Sequence, residues 1–481
     1  MAKKPRLVKQ LEAVVGKDYA IYHPEDLLVF EYDGSIDKAL PQAVVLPAST
    51  HEVSQVLALA YEEGIPVVGR GSGTGLSGGA VASLGGLQVV LTRMDRILEV
   101  DTENRLAVVE AGVINLHLDE CARSHGLRYA PDPSSQKACS LGGNVAENAG
   151  GPHCLAYGVT SNHVLGMEVV LEDGSVTWLG GKVRDSSGYD LRGVFVGSEG
   201  TFGLATKIIV RLLPLPPVTK TYLAVFADLE SACDAVSSVI ARGMVPAALE
   251  MIDALTIKAV QNVTQAGLPD DAGAVLLVEL EGLAEEVADL GSEVETILSR
   301  AGASEVRWAE SAEERDRLWS ARKSALGALG SLAPNYYLVD GVVPRTRLTE
   351  VLRRVSEISS QYGMSIANVF HAGDGNIHPC ILFDERKPGD VERVMEVGGE
   401  ILKACVEMGG TLSGEHGIGL EKKAYMPLVF SDEDMDVMQR VRDAFAPKGR
   451  FNPGKVFPGG PEYNYTMQRG AVRAAGPGAH V

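Results

Sequence analysis

The sequence has no apolar run approaching the roughly 18 residues that a membrane-spanning helix requires. Its start is basic, but acidic residues follow without the apolar segment of a secretory signal. We therefore expect a cytoplasmic protein without a transmembrane segment. Positive charge is scarce, and the net charge of −19 argues against binding to nucleic acid or through a polybasic membrane patch.

Cysteine is also sparse. The six cysteines are widely scattered and none forms a Cys-x-x-Cys pair. This fits reduced thiols and excludes an iron–sulfur cluster held by this chain alone. No repeat is visible, and the length of 481 residues predicts two or three domains.

Glycine, by contrast, is concentrated in residues 69–79, directly after a short apolar strand at residues 65–68. Glycines let backbone N–H groups approach an anion, which is typical of a phosphate-binding loop. The spacing from Gly73 to Gly78 matches G-x-G-x-x-G, but residues 78–86 lack the helical stripe that a dinucleotide fingerprint needs. No Walker lysine follows. We predict a glycine loop between two strands, with Arg70 as a fixed cation.

Two further glycine-rich stretches occupy residues 142–151 and 197–203, after a Pro-Asp-Pro segment at residues 131–133. Three such stretches in 140 residues indicate the walls of one extended site, with backbone amides facing a long polar ligand. Ser49-x-x-Glu52 predicts a capped helix that ends at Gly64. The proline-rich residues 214–217 mark a domain boundary. Beyond it, strands and helices alternate, which predicts an α+β domain with helices on one side of its sheet.

Histidines cluster in the second half. His371 and His378 flank a Gly-Asp-Gly-Asn turn between two apolar strands, which predicts a hairpin that brings both imidazoles together. Glu415 and His416 lie in a later glycine-flanked loop. Two histidines and a glutamate are a usual ligand set for a catalytic divalent metal.

The first half resembles the FAD domain of the vanillyl-alcohol-oxidase type of flavoproteins, through Arg70-Gly71-Ser72-Gly73-Thr74, Pro131-Asp132, Gly142-Gly143-Asn144 and Gly197-Ser198-Glu199-Gly200. Many members tether FAD to a histidine at the place that Thr74 occupies, so the resemblance implies non-covalent FAD. The predicted cofactor-binding residues are Gly69, Arg70, Gly71, Ser72, Gly73, Thr74, Ser77, Pro131, Asp132, Ser135, Gly142, Gly143, Asn148, Glu199, Gly200, Ile209 and Asn452.

Both halves together resemble the D-2-hydroxy-acid dehydrogenases of the FAD-linked oxidase family, which include the bacterial glycolate oxidases. Residues 340–345, 368–376, 378–384 and 414–419 carry this resemblance. It implies that His371, His378 and Glu415 bind a divalent metal, zinc, iron or manganese. It also implies that His416 is the base for hydride transfer from the substrate to FAD N5.

The resemblance implies an α+β fold in which a two-part FAD domain is followed by an α+β cap and a C-terminal helical return segment. The predicted parts are an N-terminal helical segment (1–40), the FAD-binding domain (41–217), the cap or substrate domain (218–420), the helical segment returning to the FAD (421–460) and a disordered tail (461–481).

At two positions this chain departs from the residues of a related branch, and both positions concern the substrate. The 2-hydroxyglutarate branch has a lysine where this chain has Leu338, and an asparagine where it has Cys380. Losing both polar contacts favours a short acid such as glycolate or D-lactate. Arg322 is our candidate for the clamp on the substrate carboxylate.

With no cysteine cluster in the chain, the resemblance implies an iron–sulfur partner subunit and a second FAD-binding subunit. Through these the protein is expected to lie peripherally at the inner membrane. The alternatives are a stand-alone D-lactate or D-2-hydroxyglutarate dehydrogenase, a metal hydrolase without redox chemistry, and a non-catalytic FAD-binding subunit.

Overall fold

The computed structural model of the chain describes residues 5–183, 187–264 and 267–459. The predicted tail at residues 461–481 lies outside the described residues. Among the helices of this described part, none combines the length and the apolar composition that a membrane span needs.

The first half contains two sheets and short helices. Its helices are α1 (Arg6–Val15), α2 (Pro24–Leu27), α3 (Thr50–Glu63), α4 (Asn115–Arg123), α5 (Leu141–Glu147), α6 (Cys154–Tyr157) and α7 (Leu191–Phe195). Its strands are β1 (Ala20–Ile21), β2 (Ala43–Val45), β3 (Val67–Arg70), β4 (Leu87–Val90), β5 (Ile97–Asp101), β6 (Leu106–Glu110), β7 (Leu127–Arg128), β8 (Val164–Val170), β9 (Val176–Gly180), β10 (Leu204–Arg211) and β11 (Leu213–Pro214).

The glycine loop joins two neighbouring parallel strands, β3 and β4, of the first sheet, whose order is β1-β2-β4-β3. The prediction of a loop between two strands is confirmed. The capped helix is confirmed as α3, because Ser49 accepts a hydrogen bond from the Glu52 N–H and Gly64 ends the helix with φ +72°. The N-terminal segment is not purely helical, since β1 pairs antiparallel with β2.

The second sheet is antiparallel, with the order β5-β6-β10-β8-β9. One core joins both sheets with α1, α3, α4 and α5, and it includes Ala446 and Phe451 from the C-terminal segment. Helix α5 lies where the sequence predicted only a glycine-rich loop. Its two glycines fall in the first turn, after the N-cap Ser140, where a cap offsets part of their poor helix propensity.

The second half is built on an eight-stranded antiparallel sheet. Its strands are β12 (Val218–Phe226), β13 (Ala248–Asp253), β14 (Ala274–Gly282), β15 (Glu305–Trp308), β16 (Asn335–Leu338), β17 (Gly341–Val342), β18 (Ile366–His371) and β19 (Asn376–Phe383). The helices are α8 (Leu229–Ala241), α9 (Ala254–Val263), α10 (Ala284–Arg300), α11 (Ala312–Ala328), α12 (Leu348–Tyr362), α13 (Asp390–Glu407) and α14 (Asp432–Phe445).

Helices cover both faces of this sheet, so the prediction of helices on one side was wrong. Alternate residues of β12 show the division: Tyr222 and Ala224 pack in the core that contains α8, α10, α12 and α13. Leu223 and Val225 pack on the other face with α9 and α11. Because β12 is apolar on both faces, it reads as a continuous apolar run, and such a run requires cover on both sides.

The chain then returns to the first half. After α14, Phe451 bridges to Val67 of β3, and the Asn452 N–H donates to the Val67 carbonyl at 2.7 Å. The Asn452 side chain donates to the carbonyls of Gly79 and Glu199 at 2.9 and 2.7 Å. This return places a C-terminal residue beside two of the glycine-rich stretches.

A buried polar network joins the two halves. His153 lies between two carboxylates, with its Nδ1 3.0 Å from Asp132 and its Nε2 3.1 Å from Glu279. Lys323 adds a contact to Asp132 at 3.2 Å, and Trp319 donates to Glu279 at 2.6 Å. Burial lowers the pKa of His153, but the Asp132 and Glu279 carboxylates outweigh burial and raise it to about 10.

We expect the His153→Gln variant to lose stability in a pH-dependent way. The charged imidazole stabilises the fold fully below its ordinary pKa of 6.5, and this contribution disappears as the pH rises towards about 10. The loss relative to the unmutated protein is therefore roughly 2–4 kcal/mol near pH 6 and shrinks towards pH 9.5. Melting curves across this range measure it. The exposed His125→Gln is the control, and a loss that does not change with pH would contradict the linkage.

Candidate functional site

A cavity of about 380 Å³ lies between the glycine loop, helix α5, the turn before β10 and the second half of the chain. Most of the predicted cofactor-binding residues line it. These are Gly69, Arg70, Gly71, Ser72, Gly73, Thr74, Ser135, Gly142, Gly143, Glu199, Gly200 and Asn452.

The glycine loop presents its backbone to this cavity. Within the described chain, the N–H groups of residues 71–76 donate to no protein acceptor. A Cβ added at Gly75 would project into open space, whereas one at Gly71 would lie 2.0 Å from the Ser140 Oγ. A wall of unpaired N–H donors suits an anionic ligand such as the pyrophosphate of FAD, so the residues present fit that cofactor.

Arg70 both lines the cavity and supports the glycine loop. Its guanidinium donates to the Tyr32 carbonyl at 2.7 Å and lies 5.9 Å from the centre of the Phe30 ring. Gly73 has φ +73°, and a Cβ there would come 2.2 Å from an Arg70 nitrogen. The arginine thus holds the loop against the N-terminal segment.

Five predicted residues lie off the cavity wall. The Ser77 carbonyl accepts the Leu420 N–H, and the Pro131 carbonyl accepts from the Asn115 side chain. Asn148 ends α5 in the left-handed conformation, and Asp132 pairs with His153. Ile209 packs in a small apolar cluster with Leu106, Val108 and Leu165. A glycine-rich stretch indicates that a wall is near, but it does not reveal which of its residues face the ligand.

The predicted hairpin is confirmed. Strands β18 and β19 pair antiparallel, with His371 opposite Asn376 and Val369 opposite His378. The two imidazole centres lie 5.0 Å apart. The Glu415 Oε1 completes the cluster, at 3.1 Å from the His371 Nε2 and 3.5 Å from the His378 Nε2.

This donor set fits a divalent metal. Ligand bonds of about 2.0–2.1 Å in a tetrahedral site place neighbouring donor atoms roughly 3.3–3.4 Å apart, which the two measured distances bracket. The buried His378 Nε2 has no hydrogen-bond partner among the described residues. Burial raises the pKa of Glu415, but the histidines His371, His378 and His416 together outweigh burial and lower the pKa to about 2, so the carboxylate is charged. A buried anion beside two imidazoles suits a cation.

The loop that carries Glu415 and His416 is held by two carboxylates. The Asp340 Oδ2 accepts hydrogen bonds from the N–H groups of Gly414, Glu415 and His416 at 2.9–3.2 Å. From the first half, Glu199 accepts the N–H groups of the next turn, residues 418 and 419, at 2.7 and 2.6 Å. Asp340 lies in the stretch 340–345 that carries part of the family resemblance, but the sequence does not predict this role, because the partners of Asp340 lie 74–76 residues away.

His416 faces the same cavity. Its ring stacks on that of His378, with centres 5.0 Å apart and planes inclined by 12°. Its Nδ1 lies 3.9 Å from the Asp340 Oδ2. Burial lowers the pKa of His416 to about 4, so the imidazole is neutral at pH 7.

Arg322 also lines the cavity and is buried, so it does not belong to a solvated helix face. Its Nη2 lies 2.5 Å from the Glu250 Oε2 and 3.4 Å from the Phe370 carbonyl. Its buried Nε has no partner among the described residues. Glu250 went unnoticed in the sequence, although a glutamate inside an apolar strand is a signal of a buried charged pair.

Both halves of the chain match families of known proteins. The FAD binding domain family matches residues 41–180, and the family FAD linked oxidases, C-terminal domain, matches residues 215–456. Glycolate oxidase subunit GlcD of Escherichia coli (strain K12) is 46% identical, covering 91% of this chain and 88% of its own length. The GlcD subunit of Bacillus subtilis (strain 168) is 42% identical over 89% and 92%. A D-lactate dehydrogenase of Archaeoglobus fulgidus is 35% identical over 92% and 98%.

Solved structures support the fold. p-Cresol methylhydroxylase superposes with a TM-score of 0.79 at 18% identity, covering 94% of this chain and 96% of its own. 4-Ethylphenol oxidase from Gulosibacter chungangensis gives 0.77 at 20% identity, with the same coverage. At such identities the likeness shows the fold alone, which is the vanillyl-alcohol-oxidase type. The family matches to both domains and the identity to the relatives above show that this chain belongs to the FAD-linked oxidases, a family of flavin-dependent oxidoreductases.

Proposed function

We propose that the protein oxidises a short D-2-hydroxy acid, glycolate or D-lactate, to the 2-oxo acid. The observation that carries the proposal is the convergence of His378, Glu415, His416 and Arg322 on the cavity that the glycine loop lines. A candidate base, a cation that could bind a carboxylate and two of the three candidate metal ligands therefore line the same cavity as the candidate flavin site. The names of the relatives, glycolate oxidase subunit and D-lactate dehydrogenase, support the same substrate class.

Different residues of the chain are proposed to have different roles in the reaction. The guanidinium of Arg322 binds the substrate carboxylate through donors that Glu250 leaves free. His371, His378 and Glu415 would hold a divalent ion of zinc, iron or manganese, and such an ion would supply a positive charge that favours ionisation of the substrate hydroxyl. Bound FAD supplies the acceptor for the two electrons of the oxidation.

His416 takes the hydroxyl proton. In this role the Nε2 of the neutral ring would be the acceptor, and Nδ1, which lies 3.9 Å from the Asp340 Oδ2, would carry the proton of the ring. The loop N–H groups held by Asp340 keep this ring in place. General-base help of this kind is worth roughly 10²–10⁴ in rate.

Anaerobic reduction of the bound flavin tests the proposal. Purified protein is mixed with glycolate, D-lactate, L-lactate and D-2-hydroxyglutarate, and bleaching of the flavin absorption is followed. Rapid bleaching by glycolate or D-lactate is expected. A protein without flavin absorption would support the metal hydrolase, and a flavin that no hydroxy acid bleaches would support a non-catalytic subunit.

We expect a preference for small substrates. Leu338 and Cys380 lie opposite each other on β16 and β19 and pack in one apolar cluster with Val369, which lines the cavity. A second carboxylate beside this cluster would lose its hydration without a partner. The kcat/KM of D-2-hydroxyglutarate should therefore be at least about tenfold below that of the better of glycolate and D-lactate. Leu338→Lys should narrow this gap and Leu338→Met should not; a faster reaction of D-2-hydroxyglutarate than of both short acids would contradict the assignment.

We expect FAD to be bound without a covalent bond. Thr74 lines the cavity where tethered relatives carry histidine, and a threonine hydroxyl does not form that linkage. Acid denaturation followed by centrifugation should release all of the yellow colour into the supernatant. Flavin that stays with the pellet would contradict this.

The electron acceptor is proposed to be a partner. Among the described residues the six cysteines are free, and no two form a disulfide. Because this chain has no cysteine pattern for an iron–sulfur cluster, we propose an iron–sulfur subunit and a second FAD-binding subunit, as in a glycolate oxidase complex, which would place the protein peripherally at the inner membrane. Affinity purification of the tagged chain from its own cell should co-purify both. Full turnover of the isolated chain with a quinone would support the stand-alone dehydrogenase.

A further inference from the structure

Glu250 is a buried carboxylate with a hydrogen bond at one oxygen and an ion-pair contact at the other. It lies on β13 directly opposite His371 of β18, and its side chain is 1% exposed. Its Oε1 is 2.8 Å from the His371 Nδ1, and its Oε2 is 2.5 Å from the Arg322 Nη2. One side chain therefore contacts a residue of the metal-ligand set and the candidate carboxylate clamp.

This arrangement is costly to build. Removing a carboxylate and a guanidinium from water costs free energy for each ion, and an ion pair offsets this cost only when its geometry is good. Apolar residues of similar volume often stabilise such a position as well or better. A buried ion pair that also contacts a residue of the metal-ligand set therefore indicates a role in the site as well as in the core.

The geometry defines that role for each neighbour. On the Oε1 side, the carboxylate favours a proton on the His371 Nδ1, so that Nε2, which lies 3.1 Å from the Glu415 Oε1, is the nitrogen that would bind a metal. On the Oε2 side, it holds one end of the Arg322 guanidinium and leaves Nε without a partner among the described residues.

We propose that Glu250 is a positioning residue that holds the metal-ligand set and the carboxylate clamp in register with each other. The inference rests on the proposed function, because it assumes that Arg322 binds the substrate carboxylate and that His371 binds a metal. Glu250 itself is not among the described residues that line the cavity. By contacting one nitrogen on each side, it sets the spacing between the two subsites that a single small substrate must reach together.

The test compares Glu250→Gln with a matched control. Asp253→Asn replaces another buried carboxylate of the same strand, one that accepts hydrogen bonds from Asn368 and Thr256. The apoprotein is titrated with Zn²⁺, and the loaded protein is assayed with D-lactate. Glu250→Gln should bind Zn²⁺ roughly 10–100-fold more weakly and raise the KM by about tenfold or more, while Asp253→Asn stays within about twofold on both.

An unchanged Zn²⁺ affinity, or an unchanged KM, in folded Glu250→Gln would overturn the proposal, because the residue is claimed to serve both sides. If Glu250→Gln does not fold, Glu250→Asp replaces it: the charge remains, but the shorter side chain cannot reach both partners. Recovery of both Zn²⁺ affinity and KM in Glu250→Asp would also overturn the proposal.

A stability cycle separates this inference from the proposed function. The melting temperatures of Glu250→Gln, Arg322→Gln and the double variant are compared, with no substrate present. The double variant should lose less than the sum of the single losses, because either change alone leaves a buried charge unpaired. If the unmutated protein oxidised no hydroxy acid, the proposed function would fail, while a non-additive cycle would still support the pairing of Glu250 with Arg322. Additive losses would overturn that pairing itself.

Discussion

Replacing His416 with alanine is expected to slow flavin reduction by a hydroxy acid roughly 10²–10⁴-fold. The imidazole is the proposed acceptor of the hydroxyl proton. Burial lowers the pKa of His416 to about 4, so the imidazole is unprotonated at neutral pH and can accept a proton. The variant should keep FAD and metal near full occupancy, because the backbone of residue 416 still donates to Asp340. Stopped-flow bleaching under anaerobic conditions and elemental analysis measure both quantities.

The control for this variant is His125→Ala, which removes an exposed imidazole outside the cavity. It should reduce flavin at the unmutated rate. If His416→Ala also reduced flavin at that rate, His416 would not be the base. If it instead lost its metal, the histidine would belong to the ligand set.

Replacing Glu415 with glutamine is expected to remove most of the bound metal. The carboxylate is the one anionic member of the proposed ligand set, and a neutral amide holds a divalent cation less firmly than a charged oxygen does. The loss of affinity should exceed the roughly 10–100-fold typical of losing a hydrogen-bond partner of a ligand. Flavin reduction should fall with metal content, and the FAD should stay bound.

Treatment of the unmutated protein with a chelator should reproduce the Glu415→Gln behaviour, and added metal should restore the unmutated protein. Glu407→Gln changes an exposed glutamate at the end of α13 and should retain its metal. Full metal content in Glu415→Gln together with metal loss in His416→Ala would reverse the two assignments. Flavin reduction at the unmutated rate in both variants would place the chemistry elsewhere.

Local patterns predicted the parts of the site that depend on neighbours in sequence. The turn residues between His371 and His378 determine a hairpin, because Gly-Asp-Gly-Asn favours a tight reversal and the flanking apolar runs pair across it. The lack of a helical stripe after Gly78 correctly predicted a strand at the end of the glycine loop. Helix α5 was missed for a local reason, since two glycines mask the pattern of a short helix.

Contacts between distant elements could not be predicted in this way. Glu250 meets His371 because β13 and β18 are neighbours in a sheet whose strand order does not follow the chain. Asp340 meets the loop at residues 413–416 because the chain returns after α13. Neither partner lies within 70 residues of the carboxylate, so no spacing reveals the pair.

The sequence by itself determined the glycine loop, the histidine hairpin, the resemblance to a flavoprotein family and the types of residue that carry the chemistry. Each of these depends on backbone freedom, turn preference or side-chain chemistry within a short stretch. Only the tertiary structure decided that Arg322 is buried beside Glu250, that helices cover both faces of the large sheet and that Glu199 holds the loop beyond His416. The physical reason is that burial, charge pairing and the hydrogen-bond partners of a loop depend on which distant elements the topology brings into contact.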